Sequence, residues 1–525
     1  MTSSEGDFPP SSWDNFNENY IMRNKYGRHK DKTGRWVPNN PGTSINAQKF
    51  GEDRTPYIVE SKEKFDINRR PEAGYYLDYL LNEKIVMDGP GKNVIVVKSF
   101  EEMNLDSTLM QNIQRKNYFK PLPIQRATFS LIQAGFDVIG HAVTGGGKTA
   151  AFLIPVINYI STQKSKAASE RNIYPYCIVV SPTKELAEQL YEDTLVLSAD
   201  LNCIPVLSFG EICRQDNILR IKDGCDIFIC TVGRLCDYLQ NEVLKLHHLH
   251  FLVFDEADRL LQLDGFHDDL VENLLPKCRP IPNLRKLLFS ATDYNDLAEL
   301  KEEFSMPNAT KVVVGVLNSV NPFVEQRVLN VEVHEKREKL LALVQKTYLN
   351  NIDKKTPKTI IFVNTKRFAT VIACYLSLKG YKAYPIHGNL TAKLRREAIE
   401  ALQSGDCDIL VSTDLAARGL DIKGISHVIN YEIPKSESFL SYIHRVGRTG
   451  RVGNFGRATT FFAPSVDRGM ALRLYGWLQM NKQEIPTFLF KEVERQVGIE
   501  NLQKIVWEEY EQALYMESSD GEMDH

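Results

Sequence analysis

The feature that constrains this chain most is a junction. The apolar run DVIGHA (137–142) passes through the glycine loop VTGGGKT (143–149) into the helical run AAFLIPVINYI (150–160). A buried strand that ends in glycines and opens a helix begins a parallel α/β unit, because glycine lets backbone N–H groups crowd the strand's carboxyl end. Such a loop holds phosphate. Ala142, Val143, Thr144, Gly145, Gly146 and Gly147 form the cradle, Lys148 supplies charge to the outer phosphates, and Thr149 offers a hydroxyl to a divalent cation.

The rest of the chain repeats the same alternation of short apolar runs with amphipathic stretches of helical period. CIVVSPT (177–183), DIFICT (226–231), FLVFDEAD (251–258) and KLLFSAT (286–292) read as buried strands, and a second series follows in KTIIFVNT (358–365), DILVSTD (408–414), HVINYEIP (427–434) and ATTFFAP (458–464). Each ends in polar residues, and ligands of parallel sheets bind beyond those ends. Between the series, VLNSVNPFVEQRVLNVEV (316–333) contains Asn-Pro and little helical period. The expected organisation is an N-terminal extension over 1–93, mostly disordered, a first α/β domain over 94–316, a linker over 317–332, a second α/β domain over 333–490, and a tail over 491–525 with an acidic end.

Composition agrees with two soluble lobes. A chain of 525 residues is too long for one core, and 43% apolar with 25% charged residues is globular. The net charge of −3 argues against a uniformly basic coat, while 64 Lys and Arg leave room for a local basic cleft. Within the extension, YIMRNKYGRHKDKTGRW (20–36) interleaves basic and aromatic residues; it suits phosphate attraction and base stacking, or is a solvated tail. The nine cysteines are odd in number and form no CxxC pair, which points to a reducing compartment. The first residues lack the charge and apolar core of a signal peptide, and no run of about eighteen apolar residues follows. The expectation is a cytosolic or nuclear protein with no membrane association.

Hydrolysis of a bound nucleoside triphosphate needs a carboxylate to hold metal and a second group to orient or activate water. FDEAD at a strand end offers Asp255 for the first and Glu256 for the second. The phosphate loop, DEAD, SAT (290–292) and HRVGRTGR (444–451) occur in the order and approximate spacing of DEAD-box RNA helicases, and the chain resembles that family from about Phe100 to Phe488. The resemblance implies two tandem recombinase-like (RecA-like) parallel-sheet domains, with ATP and Mg2+ between them and single-stranded or short duplex RNA across both.

The resemblance also implies roles for particular residues. Phe100 would stack on adenine and Gln125 would bond its amino edge, which favours ATP over GTP. Thr149 and Asp255 would hold the metal; Arg448 and Arg451 would reach the γ-phosphate from the second domain, with His444 linking to the first and Asp421 lying toward the ribose. Pro182, Thr183, Lys184, Gly210, Thr231, Gly233, Arg234, Thr365, Arg395, Thr413 and Arg418 would contact the RNA backbone, with little sequence preference. Ser290 and Thr292 would couple hydrolysis to strand separation. The cluster LHHLH (246–250) invites a metal reading, but His247, His248 and His250 have no nearby cysteine.

Several positions depart from the usual pattern of that family. Val143 and Gly146 stand where Gln and Ser are usual, Gly210 and Glu211 replace paired glycines, Val232 replaces a proline, Lys184 replaces an arginine, and Ala392 replaces a glutamine while Arg395 is retained. Glu211 places negative charge close to where RNA phosphate is expected. The expectation is an active ATPase with a retuned RNA grip. The rival is an ATP-gated RNA clamp or scaffold that unwinds little, and a DNA-directed motor is a weaker third reading. Residues 208–210, 263–266 and the terminal IPTFL look closest to the Vasa and Belle group, which implies germ cells, RNA granules and small-RNA silencing proteins as setting and partners. The Arg-Gly-Gly repeats and zinc knuckles of that group do not occur in this sequence.

Overall fold

The computed structural model describes residues 28–30, 36–38, 77–143, 145–166, 174–262, 266–290, 304, 306–315, 323–349, 357–414, 424–434, 439–450 and 454–498. They form two parallel-dominated α/β lobes. The first is built on an eight-stranded sheet in the order Ile85–Asp88, Ala309–Val314, Asp137–Ala142, Arg285–Ser290, Phe251–Asp255, Cys177–Ser181, Ile227–Thr231, Pro205–Ser208. Every pairing is parallel except that of the edge strand Ile85–Asp88. The second sheet is wholly parallel, in the order Val324–Asn330, Gly456–Phe462, Ile425–Asn430, Lys358–Phe362, Ile409–Ser412, Ala383–Ile386.

The central strands are apolar throughout because both of their faces are covered. Along Cys177–Ser181, Cys177 and Val179 enter one core cluster while Ile178 and Val180 enter another across the sheet, all fully buried. Each such side chain contributes roughly 1.5–3 kcal/mol by leaving water. Because the central strands run parallel, their carboxyl ends gather at one edge of each sheet. Ala142, Ser181, Thr231, Asp255 and Ser290 therefore stand at one edge of the first lobe, and Phe362, Ser412 and Asn430 at one edge of the second.

Three boundaries differ from those read in the sequence. The stretch taken as linker contains strand Val324–Asn330, in which Val324, Gln326 and Val328 are buried and pair with Gly456–Phe462 of the second sheet. Its period of two is hard to see among polar outward residues that follow Asn-Pro. The N-terminal extension supplies helix Leu77–Leu81 and strand Ile85–Asp88, whose half-covered alternation suits a sheet edge. At the other end, helix Thr487–Val497 runs past residue 490 and buries Leu489 and Val493 completely. Most of residues 1–76, and residues 499–525, lie outside the described residues, as do the expectations placed there; the described part of the former is a short antiparallel pair, Arg28–Lys30 with Trp36–Pro38.

Candidate active site between the lobes

The phosphate loop leaves strand Asp137–Ala142, every residue of which is buried, and enters helix Lys148–Lys166. Gly147 has φ +86°, and a Cβ there would lie 2.7 Å from both Gln125 Nε2 and Leu122 Cδ1, so the position requires glycine twice over. Lys148 Nζ donates to the carbonyls of Ala142 at 2.6 Å and Val143 at 3.2 Å, on the inner side of the loop. Gln125 braces the same loop: its Oε1 accepts from Leu122 N at 2.9 Å and its Nε2 donates to Gly147 O at 3.3 Å. Thr149 follows Lys148 in the first turn of the helix, and Thr144 lies outside the described residues.

Phe100 requires a correction. It is 2% exposed and packed in the first lobe's core cluster, so the ring has no free face on which a base could stack. The same large apolar ring that suits stacking also suits a core, and here the core takes it.

At the end of strand Phe251–Asp255, Asp255 is buried and its Oδ1 accepts from Glu256 N at 3.0 Å. Burial, then the neighbouring Glu256, push its carboxyl up to about 7 against the pull of Lys148. A buried carboxylate that resists ionisation in this way fits a divalent cation, which would stabilise its charged form. Glu256 adopts a left-handed φ of +50°. Burial raises its carboxyl, but Arg259, Arg448 and His444 outweigh that and hold it below the ordinary range. Arg259 Nε lies 3.3 Å from Glu256 Oε2.

The second lobe closes onto these acids. His444 Nε2 lies 3.2 Å from Asp258 Oδ2, and both side chains are nearly buried. Burial lowers the His444 imidazole, Arg259 adds to that, and Asp258 opposes it. Arg448, also buried, donates through Nε to His444 O at 3.2 Å. Arg259, His444, Arg445 and Arg448 line one small cleft between the lobes. Arg451, Asp421, Arg418 and Thr292 lie outside the described residues, and Ser290 is buried at its strand end.

The residues expected to meet RNA fall into two groups. Thr183 and Thr365 cap helices Lys184–Leu197 and Lys366–Leu378, accepting from Leu186 N and Phe368 N, and Thr231 is the N-cap of helix Val232–Gln240. Gly210 and Gly233 have open space where a Cβ would stand, Pro182 precedes the Thr183 cap, and Thr413 is buried beside Ile386. Helix starts of this kind present backbone N–H groups to phosphate. The cations, by contrast, already have partners. Lys184 pairs with Glu211, Arg395 Nη1 lies 2.5 Å from Glu185 Oε1, and Arg234 Nη2 donates to the carbonyls of Phe209, Gly210 and Ile212 at 3.0, 3.0 and 2.9 Å.

Several working residues escaped the sequence reading. Asp258 closes the DEAD motif and Arg259 follows it, Glu185 and Glu188 lie on the helix that Lys184 opens, and Arg396 Nη2 reaches Glu188 Oε1 at 3.3 Å across the lobes. Their signal is proximity in sequence to the motif residues. Among the described residues no group of histidine, cysteine or acids could hold a metal in the manner of the LHHLH reading, and no helix is long and apolar enough to cross a membrane.

Residues 122–300 match the DEAD/DEAH box helicase family and residues 335–453 match the helicase conserved C-terminal domain, together more than half of the chain. The chain belongs to the DEAD-box helicase family. This DEAD-box protein is 36% identical over 434 residues to the probable ATP-dependent RNA helicase DDX4 of Pelophylax lessonae, covering 81% of this chain and 58% of that relative. It is equally similar, over 397 residues, to the ATP-dependent RNA helicase DDX4 of Mus musculus, covering 75% of this chain and 55% of the relative. The chain thus spans a little over half the length of these curated relatives. Among solved structures, the DEAD-box helicase Mss116 bound to ssRNA and UDP-BeF is 26% identical with a TM-score of 0.63, covering 75% of this chain and 81% of that one. Dbp5 of S. cerevisiae, bound to RNA and ADP BeF3, shares the fold at 24% identity and a TM-score of 0.62, covering 78% of this chain and all of the other.

Proposed function

We propose that this DEAD-box protein is an ATP-dependent RNA helicase: it hydrolyses ATP in the cleft between the lobes and remodels RNA bound across both. The observation that carries this reading is the convergence of Glu256 from the first lobe with His444 and Arg448 from the second. Guanidinium groups supplied from another lobe make stabilisation of the transferring phosphoryl depend on closure. In this reading Gly145, Gly146 and Gly147 cradle the phosphates, Lys148 neutralises them, and Gln125 reads the adenine edge. Thr149 and Asp255 would hold Mg2+, which supplies charge neutralisation on the phosphate oxygens. Glu256, poised at a left-handed turn and held ionised by its cations, orients the attacking water.

RNA would lie along the helix starts capped by Thr183, Thr231 and Thr365 and the open backbone at Gly210 and Gly233, contacts that read the phosphate backbone and little sequence. The Mss116 structure, solved with ssRNA, and the DDX4 relatives, named as RNA helicases, support this reading. The resemblance to the Vasa and Belle group extends it to germline or small-RNA granules in the cytoplasm, which co-localisation with granule markers tests.

The deciding experiment is ATP hydrolysis by the purified full chain with and without single-stranded RNA, beside Glu256→Gln. RNA stimulation that disappears in the variant is expected; no hydrolysis despite ATP binding refutes the enzyme reading and leaves the clamp. The pairing of Lys184 with Glu211 favours that clamp as a second reading, because it occupies a cation expected to serve RNA. A strand-displacement assay on a short duplex separates the two.

A further inference from the structure

Two of the departures from the family pattern meet at one place, beside the helix that a third one opens. Glu211 stands where a glycine is usual, Lys184 where an arginine is usual, and Ala392, where a glutamine is usual, opens the helix Ala392–Ser404 that carries Arg395. The Glu211 carboxylate pairs with Lys184 of the first lobe, and the same oxygen lies 3.9 Å from Arg395 Nη2 of the second. Its side chain is 51% exposed whereas those of Lys184 and Arg395 are 16% and 12% exposed, so the carboxylate sits on the solvent side of two covered cations.

The loop that carries Glu211 is held firmly. Arg234 gathers the carbonyls on both sides of it, at Phe209, Gly210 and Ile212, with its guanidinium 5.4 Å from the Tyr238 ring centroid. Ile212 N closes the turn on Phe209 O at 3.1 Å. A carboxylate and a phosphodiester offer the same thing to an ammonium or guanidinium, namely anionic oxygens as charge-assisted acceptors. Both cannot occupy one pair of cations without mutual repulsion.

We propose that Glu211 is an internal stand-in for an RNA phosphate: it spans Lys184 and Arg395 across the lobe interface, weakens RNA binding, and helps hold the lobes together when RNA is absent. This inference rests on the RNA-directed reading above and adds the residue that sets its affinity and its dependence on RNA. Arg234, assigned to RNA in the sequence, becomes a positioning residue for this loop.

The test compares the full chain with Glu211→Gln and, as a control, Asp216→Asn, which removes the same charge from the exposed face of the following helix. Binding of fluorescein-labelled oligouridylate with AMP-PNP and Mg2+ is read by anisotropy between roughly 50 and 200 mM salt. One unit charge about 4 Å from a phosphate in water-like surroundings predicts about fivefold tighter binding by Glu211→Gln at low salt. The slope of log affinity against log salt should steepen by about 0.7, one extra phosphate neutralised on a single strand. ATP hydrolysis without RNA should fall in the same variant by about the same factor, because a support of the closed state is gone. Unchanged affinity and slope, or an equal gain from Asp216→Asn, overturns the inference alone. Tighter binding with unchanged RNA-free hydrolysis overturns its bridging half. No RNA binding by any of the three proteins overturns the RNA-directed reading and the inference with it.

Discussion

Replacing Arg445 by methionine tests whether the second lobe's functional edge is organised by one buried cation. The guanidinium is 2% exposed and lies 5.3 Å from the Phe362 ring centroid. It donates to both Asp414 carboxylate oxygens, to Glu432 O at 2.6 Å and to Asn364 Oδ1 at 2.9 Å. Removing one partner of a fully buried ion pair costs about 3–5 kcal/mol, since the other charge is left without compensation. Asp414 is 25% exposed and recovers part of its hydration, so the loss should be about 3 kcal/mol. Methionine keeps the packing against Phe362, which confines the loss to the polar contacts. Urea denaturation of the full chain followed by tryptophan fluorescence measures it, because Trp477 is buried in this lobe with its Nε1 bonded to Gln326 Oε1 at 2.8 Å. Arg445→Lys restores the charge without the planar fork and should recover about half of the loss. A loss below about 1 kcal/mol for methionine refutes the reasoning, and Asp414 would then be solvated well enough to need no partner.

Two further predictions follow from single contacts. Asp258→Asn removes the carboxylate facing His444, the buried link from the first lobe to the second; RNA-stimulated hydrolysis should fall about tenfold, one coupling of roughly 1.4 kcal/mol, while ATP affinity measured without RNA stays within about twofold. A parallel loss of ATP affinity would sink it. His427, bonded to Thr459 Oγ1 at 2.8 Å and to Thr347 Oγ1 at 3.3 Å, has its imidazole pushed down to about 3 by burial, with Arg457 adding to the effect. The unfolded chain therefore takes up a proton first, and stability present above about pH 6.5 is lost on acidification, by about 2 kcal/mol at pH 5. Urea midpoints at the two pH values check it, and His427→Gln should flatten the difference.

The central strands were legible because strands covered on both faces must be apolar at every position, and Cys177–Ser181 or Phe251–Asp255 could hardly be anything else. Strands toward the sheet margins were not. Ile85–Asp88 alternates half-buried with exposed residues and Val324–Asn330 buried with more exposed ones, each over too few positions to stand out from a tail or a linker. Motif residues could be found from spacing, but the partners that decide their roles could not. Phe100 is an aromatic whether it stacks on a base or fills a core, and Arg234 is a cation whether it meets a phosphate or three carbonyls of its own chain. Those distinctions depend on contacts between segments far apart in sequence.

The polar contacts of the cleft have a common arrangement that bears on how the two proposed ligands would communicate. Arg259 faces Glu256 and His444 faces Asp258, while Lys184 faces Glu211, Arg395 faces Glu185 and Arg396 faces Glu188. Three of these pairs, at Asp258, Glu185 and Glu188, join the first lobe to the second. A phosphate arriving at Lys184 or Arg395 therefore replaces one anion by another, and the net gain is the difference between two similar interactions. A site whose cations were free would bind RNA tightly in any lobe arrangement. A site whose cations are already paired across the lobes binds it well only where closure brings enough of them to bear at once, and closure is also what sets Arg448 beside Glu256. On the proposed function, coupling between RNA and hydrolysis then needs no separate relay: both ligands draw on one set of interlobe polar contacts, and each is favoured by the geometry the other stabilises.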